Sequence, residues 1–330
     1  MTREKILEIQ NLSVRFHSAR GAVYAVNDIS YDVYAGEVLG IVGESGSGKS
    51  TSAYALTRLL PENGKVSSGK ILYKDRSILD LSDLEMRKMR GEEIAMIFQN
   101  PMQCLDPVFT IGSQLIEMIQ AHEPVSKKDA WYRAVNVLRS VQIKAPERMM
   151  RSYQHELSGG MCQRVMIAMA MLLGPKLLIA DEPTTALDVT IQDQILGLIQ
   201  EEIRSNDMSV IFITHNLGIV ADICDRVCVM YGGRIVETGT VDEIFYDQQH
   251  PYTRGLLDSI PKPDVFDKSH LSAIEGSPID MTFAPKGCPF SPRCAYSTTK
   301  CMSQMPPDVI LSETHRAACW KCQEEKGAQA

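Results

Sequence analysis

Short β-branched runs broken by Gly, Asn and Asp open the chain. "LEIQNLSVRF" (residues 7–16) and "GAVYAVNDISYDVYAGEVLGIVG" (21–43) have this form, which predicts an antiparallel sheet feeding a buried strand, Val38 to Val42. A Gly-rich turn and a helix follow. Residues 93–99, "EIAMIFQ", make another apolar strand, and residues 100–174 carry helical patterns separated by proline and glycine, the mark of an inserted helical subdomain. "KLLIADEP" and "MSVIFITHN" are continuous apolar runs ending in polar residues, as strands buried on both faces of a mostly parallel sheet should be. Between them Ile191, Ile195, Leu198, Ile199 and Ile203 recur at helical spacing, predicting a helix over 188–206 that covers one sheet face. "RVCVMYGGRIVETG" predicts a hairpin turning at Gly232-Gly233.

From Pro261 onward the pattern changes: eight prolines, Pro261 included, and a group of cysteines replace the regular periodicity. The chain therefore divides into residues 1–260, an α/β body with its helical insertion, and 261–330, a loop-rich extension. At 330 residues with 44% hydrophobic content there is ample material for a buried core. The formal charge of −7 gives no positive field to draw the protein onto nucleic acid. No stretch approaches the roughly eighteen apolar residues of a spanning helix, and "MTREKILEIQ" lacks the apolar core of a signal peptide. These features predict a cytoplasmic chain, in which clustered cysteines serve as metal ligands or redox groups more often than as disulfides.

"GESGSGKST" matches G-x-x-x-x-G-K-[ST] between a predicted strand and a predicted helix. Gly43, Gly46 and Gly48 let the backbone turn tightly, so that amides of Glu44, Ser45, Ser47 and Thr51 and their neighbours converge on phosphate oxygens at a helix amino end. Lys49 supplies a point charge for β- and γ-phosphates, and Ser50 a hydroxyl for Mg²⁺. Asp181, closing "LLIAD", is placed to hold Mg²⁺, and Glu182 to act as general base on an attacking water. Gln99 can reach the metal or the water, and His215 the γ-phosphate. Together they predict a nucleoside triphosphatase.

"LSGGMCQR" (157–164) narrows the class. With the phosphate loop, Gln99, "LLIADE", "TALD" (185–188) and His215 in this order, the chain resembles the ATP-binding cassette ATPases over residues 5–260. The resemblance implies a phosphate-loop cassette fold: a mostly parallel sheet with an antiparallel β subdomain and a helical subdomain. It also implies that Ser158, Gly159, Gly160, Met161 and Gln163 face ATP held by a partner subunit. A helix amino end led by small residues suits that task. Asp188 is then a residue of the dimer interface, and Phe16, with Tyr24 as the alternative, stacks on adenine. Met161 and Cys162 depart from the residues most common at their positions.

"HPYTRGLL" (250–257) and "GCPFSPRC" (287–294) extend the resemblance to about residue 320 and narrow it to the dipeptide and oligopeptide importers. That branch implies a stand-alone subunit at the cytoplasmic face of the membrane. It pairs with a second, distinct ATPase beneath two permeases, served by an extracytoplasmic peptide-binding protein. Permease helices are expected to dock around Gln99–Asp106, and the cargo, dipeptide, oligopeptide or nickel, stays open. A soluble cassette acting on nucleic acid or ribosomes is the alternative. The branch also implies a [4Fe–4S] cluster on Cys288, Cys294, Cys301 and Cys319, with Cys322 as a substitute for Cys319. Thiolates equally suit Zn²⁺, although only Cys319-x-x-Cys322 has the close spacing usual for zinc.

Overall fold

The computed structural model of the chain describes residues 3–18, 21–184, 189–260 and 274–329. They form two compact units, one built from the residues up to Leu79 and from Phe212 onward, the other from Asp80–Ile211. Asp188, with the rest of the "TALD" motif, lies outside the described residues. Among the described residues no helix is long and apolar enough to cross a membrane.

The first unit opens with β1 (Lys5–Ser18), antiparallel to β2 (Gly21–Tyr34). After β3 (Val38–Val42) and α1 (Lys49–Leu56), β4 (Gly64–Tyr73) returns along the other edge of β1, with β5 (Arg76–Ser77) outside it. Leu7, Ile9, Leu12 and Val14 of β1 are all buried. Their period of two slips by one residue between Ile9 and Leu12, where the register shifts and Asn11 takes a left-handed φ of 49°. A bulge there keeps both halves of the long strand facing the core.

The second unit runs α2 (Asp83–Glu92), β6 (Ile94–Ile97), α3 (Pro101–Cys104), α4 (Ile111–His122), α5 (Lys127–Ser140), α6 (Pro146–Met149), α7 (Gly159–Met171), β7 (Leu177–Asp181) and α8 (Val189–Asn206). β6 lies parallel to β7. The helices of this stretch start where side-chain caps allow: Thr110 accepts from the Ser113 amide and Ser126 from that of Asp129. Leu115 and Ile119 of α4, Ala134 and Leu138 of α5, and Val165 and Ala168 of α7 are buried at helical spacing. In α8, Ile195, Leu198 and Ile199 are buried and Ile203 half-buried, while the side chain of Ile191 is outside the described set.

β8 (Ser209–Thr214) carries the chain back into the first unit, followed by α9 (Leu217–Ile223), β9 (Arg226–Tyr231), β10 (Arg234–Thr240), α10 (Val241–Tyr246) and α11 (Pro251–Asp258). β3 is parallel to β9, and β9 turns into β10 at Gly232-Gly233, both with positive φ. The extension continues with α12 (Thr299–Ser303), β11 (Asp308–Ile310), β12 (Arg316–Ala318) and α13 (Trp320–Gln329). It is less loop-like than its prolines suggest, because β12 pairs antiparallel with β10 and gives the order β11-β12-β10-β9-β3. Strands of three residues are too short to show a period in sequence.

A buried polar group fastens this addition. Glu237 of β10, 1% exposed, accepts hydrogen bonds from the amides of Gln249 and His250 and pairs with His315 Nε2 at 2.8 Å. Burial opposes protonation of His315, yet the hydrogen bond to Glu237 prevails and its pKa is raised. A raised histidine contributes stability fully below its unfolded value and loses it as pH rises through the folded one. His315→Ala should therefore cost about 3 kcal/mol at pH 6, as expected when a buried pair loses one member. In denaturant titrations the gap between variant and parent should narrow as pH rises; a gap that widens with pH would contradict the pairing.

Candidate functional site

The phosphate loop leaves β3 and ends in α1, and its shape is imposed by two carbonyl groups. Gly43, at φ 150°, lies so close to the backbone of β9 that a Cβ would meet the Met230 oxygen at 2.1 Å. Gly48, at φ 100°, stands as close to Ala25, whose oxygen would be 2.4 Å from a Cβ. No other residue fits either place. Gly48 supplies no side-chain cap to α1, so the helix amino end is left to an anion. Lys49 is 5% exposed, and its ammonium donates to the carbonyls of Gly43 at 2.8 Å and Glu44 at 2.9 Å. A buried charge tethered at the mouth of an amide-lined loop is a site for polyanionic phosphate.

His215, just past β8 and exposed, lines a recess of about 370 Å³ together with Gly43 and Glu44. The structure thus brings the predicted γ-phosphate contact to the loop it should serve. Of the two aromatic candidates, Tyr24 carries the Arg15 guanidinium over its ring, 4.9 Å from the centroid. Phe16 is half-buried, with its ring edge against Gly64.

In the second unit Asp181 ends β7 completely buried, and Glu182 follows with a left-handed φ of 46°. That conformation costs a non-glycine residue about 1–2 kcal/mol and re-aims the side chain relative to the strand. The Gln99 amide donates to Glu182 Oε2 at 3.0 Å. Gln99 does not end the strand as its sequence suggests: β6 stops at Ile97, and Gln99 sits exposed two residues beyond. The pair of carboxylates has the hard oxygen chemistry that Mg²⁺ takes, and the amide fixes one carboxylate's direction.

The signature segment opens α7. Ser158 is its N-cap and accepts from the Met161 amide. Ser158, Gly159 and Met161 are exposed, and a Cβ on Gly159 would meet nothing within 4 Å. Among the described residues nothing crowds that position. Gln163 is a correction: it is 2% exposed, and its amide donates to the Pro183 carbonyl, so it ties α7 to the turn after Glu182 instead of facing outward.

The cysteines of the extension converge. Cys288, Cys294, Cys301 and Cys319 line one small cavity beside Tyr296 and Trp320. Burial, strengthened by the neighbouring thiols, pushes Cys288 up to about 12. A hydrogen bond from Cys322 lowers the pKa of Cys319, while that of Cys322 itself is raised. Cys322 does not line the cavity; it is 2% exposed, with its sulfur 3.4 Å from the Gln249 carbonyl. No three His, Cys, Asp or Glu side chains among the described residues are grouped as ligands of a metal ion.

Two contacts made here carry no signal in the sequence. The Glu44 amide donates to the hydroxyl of Tyr252, within "HPYTRGLL", and the Glu44 carboxylate pairs at 2.7 Å with Arg293, within "GCPFSPRC". Both motifs stood out in the sequence, but nothing local to them points to the phosphate loop.

Comparison with known proteins agrees with this geometry. Residues 26–185 match the family model described as ABC transporter, and residues 236–301 match that of the oligopeptide/dipeptide transporter C-terminal region. The dipeptide transport ATP-binding protein DppD of Bacillus subtilis (strain 168) is 48% identical over 318 residues, 96% of this chain and 95% of that protein. The oligopeptide transport ATP-binding protein OppD of Haemophilus influenzae is 48% identical over 321 residues, 97% of this chain and 98% of that protein. Among solved structures, the ATP-binding cassette MJ0796, a dimer in a post-hydrolysis state bound to ADP and Pi, is similar with a TM-score of 0.65. It is 25% identical and covers 71% of this chain and 98% of its own. Likeness along nearly the whole chain to peptide-transport subunits gives no support to a cassette acting on nucleic acid or ribosomes. The chain belongs to the ABC transporter ATPases, in the branch of ATP-hydrolysing subunits of dipeptide and oligopeptide importers.

Proposed function

We propose that this subunit clamps ATP between its phosphate loop and the α7 tip of a second ATPase subunit, and that the closing and opening of this pair drives peptide uptake through two permeases. The observation that carries the reading is the open space at Gly159: a helix amino end led by an exposed glycine, whose added Cβ would meet nothing within 4 Å among the described residues, suits a triphosphate presented by another chain. The partner ATPase is a distinct homologue, an extracytoplasmic binding protein delivers the peptide, and the subunit sits at the cytoplasmic face of the membrane. The solved dimer of a related cassette supports the pairing.

Each residue then has a task. Loop amides and Lys49 orient the β- and γ-phosphates, His215 steadies the γ-phosphate, and Phe16 stacks on adenine, the Tyr24 ring being covered by the Arg15 guanidinium. Ser50 contributes a hydroxyl and Asp181 a carboxylate, the donors suited to Mg²⁺, which when bound neutralises charge on the phosphates. Glu182, aimed by Gln99, takes the proton of the attacking water. Asp188 belongs to the subunit interface. Permease helices dock near α3, where Met102, Val108 and Phe109 are exposed and Gln114 braces the loop through Asp106 and Phe109. Glu182→Gln should retain ATP binding and lose turnover by about 10²–10⁴-fold in a steady-state phosphate-release assay. Turnover within a fewfold of the parent would remove Glu182 from the role of base.

Four thiols around one cavity fit a [4Fe–4S] cluster, which would staple the extension. Cys319 is the fourth ligand and Cys322 is not. After anaerobic purification the protein should be brown, with about four irons per chain. Cys294→Ser should lose the iron and Cys322→Ser keep it; iron-free parent protein, or loss only with Cys322→Ser, would overturn the assignment.

A further inference from the structure

We propose that Arg293 is a positioning residue for ATP binding: by neutralising and holding Glu44, it lets the C-terminal extension set the charge and shape of the phosphate loop. The inference rests on the reading of Gly43–Thr51 as the triphosphate site. Glu44 is the second residue of that loop, an acid beside a site for a polyanion, and an unneutralised carboxylate there repels the ligand. Arg293 Nη1 lies 2.7 Å from Glu44 Oε2 and 3.3 Å from the Tyr231 hydroxyl. The rest of its fork is fixed, with Nε donating to the Glu275 carbonyl and Nη2 to that of Ile274. The guanidinium side chain is 5% exposed and that of Glu44 24% exposed, so the pair is shielded from solvent on the arginine side. A planar fork held by two carbonyls has one remaining direction, toward Glu44.

A second hold acts on the same residue. The Tyr252 hydroxyl accepts the Glu44 amide at 2.9 Å, and Tyr252 is completely buried. Its ring packs between Tyr231, at 4.6 Å between centroids, and Phe290 of the extension, at 5.3 Å. Backbone and side chain of Glu44 are thus gripped by the two motifs that distinguish the chain beyond its cassette core. Arg293 also precedes Cys294, so the grip is continuous with the cysteine-lined cavity.

The test is ATP binding and turnover by the full-length protein in its assembled complex. Arg293→Ala should raise KM for ATP about tenfold, with kcat at saturation changed less than twofold, because an added negative charge opposes ligand entry. The penalty should shrink at high ionic strength. Arg293→Lys, which keeps the charge, should recover most of the affinity. The double variant Glu44→Gln with Arg293→Ala should bind ATP better than Arg293→Ala alone, since the repelling charge is gone. A merely structural arginine would lower thermal stability in both backgrounds and leave KM, its salt dependence and the double variant's advantage unmoved; that result overturns the proposal. If Arg293→Ala does not fold, Tyr252→Phe, which removes one oxygen and keeps the ring, should still raise KM, and an unchanged KM counts against the grip on Glu44. Failure of the parent protein to bind ATP would instead sink the loop assignment itself.

Discussion

Two contacts between glycine and a carbonyl group govern the chemistry of this protein. Where the chain passes Met230 and Ala25, only Gly43 and Gly48 leave room, and the loop between them is held to one path, with the Glu44 amide on the Tyr252 hydroxyl and the Ser47 amide on the Glu44 carbonyl. The geometry is made before any ligand arrives, so ATP binding does not have to order the backbone as well. Lys49 completes it as a buried cation held by the loop's own carbonyls. Because β9 supplies the Met230 carbonyl and β2 that of Ala25, the loop inherits its precision from both sheets of the first unit.

Other parts of the molecule are built for exchange with something outside. Glu182 is held in a left-handed conformation and oriented by Gln99, a local strain that places a carboxylate past the strand end. Gly159 leads α7 into open space. The extension behaves differently: β12 joins β10, His315 closes on Glu237, and Phe290 fills the aromatic cluster, so it is bound firmly to the cassette and can influence it.

Much of this was legible in the residues. Continuous apolar runs gave β3, β7 and β8 because strands buried on both faces need no alternation. The Gly232-Gly233 turn, the insertion and the phosphate loop carry chemistry local enough to show in a few residues. What sequence hid depends on distance or brevity. Arg293 and Glu44 are 249 residues apart, and no periodicity links them. β11 and β12 hold three residues each. Gln163 has the composition of a signature residue but faces inward, since α7 places it on the buried side of the helix while Met161 stays exposed.

Gly159 offers the cleanest probe of whether α7 completes an ATP site held by another chain, because a Cβ there meets no heavy atom within 4 Å among the described residues. The measurement is ATP cleavage by the assembled transporter carrying Gly159→Val. The account predicts a folded subunit that binds ATP at its own loop with unchanged affinity, while cleavage at the opposing site falls by at least about a hundredfold, as removal of aligned transition-state donors requires. Cleavage at the parent rate would show that nothing occupies the space in front of that helix, and would contradict the shared site.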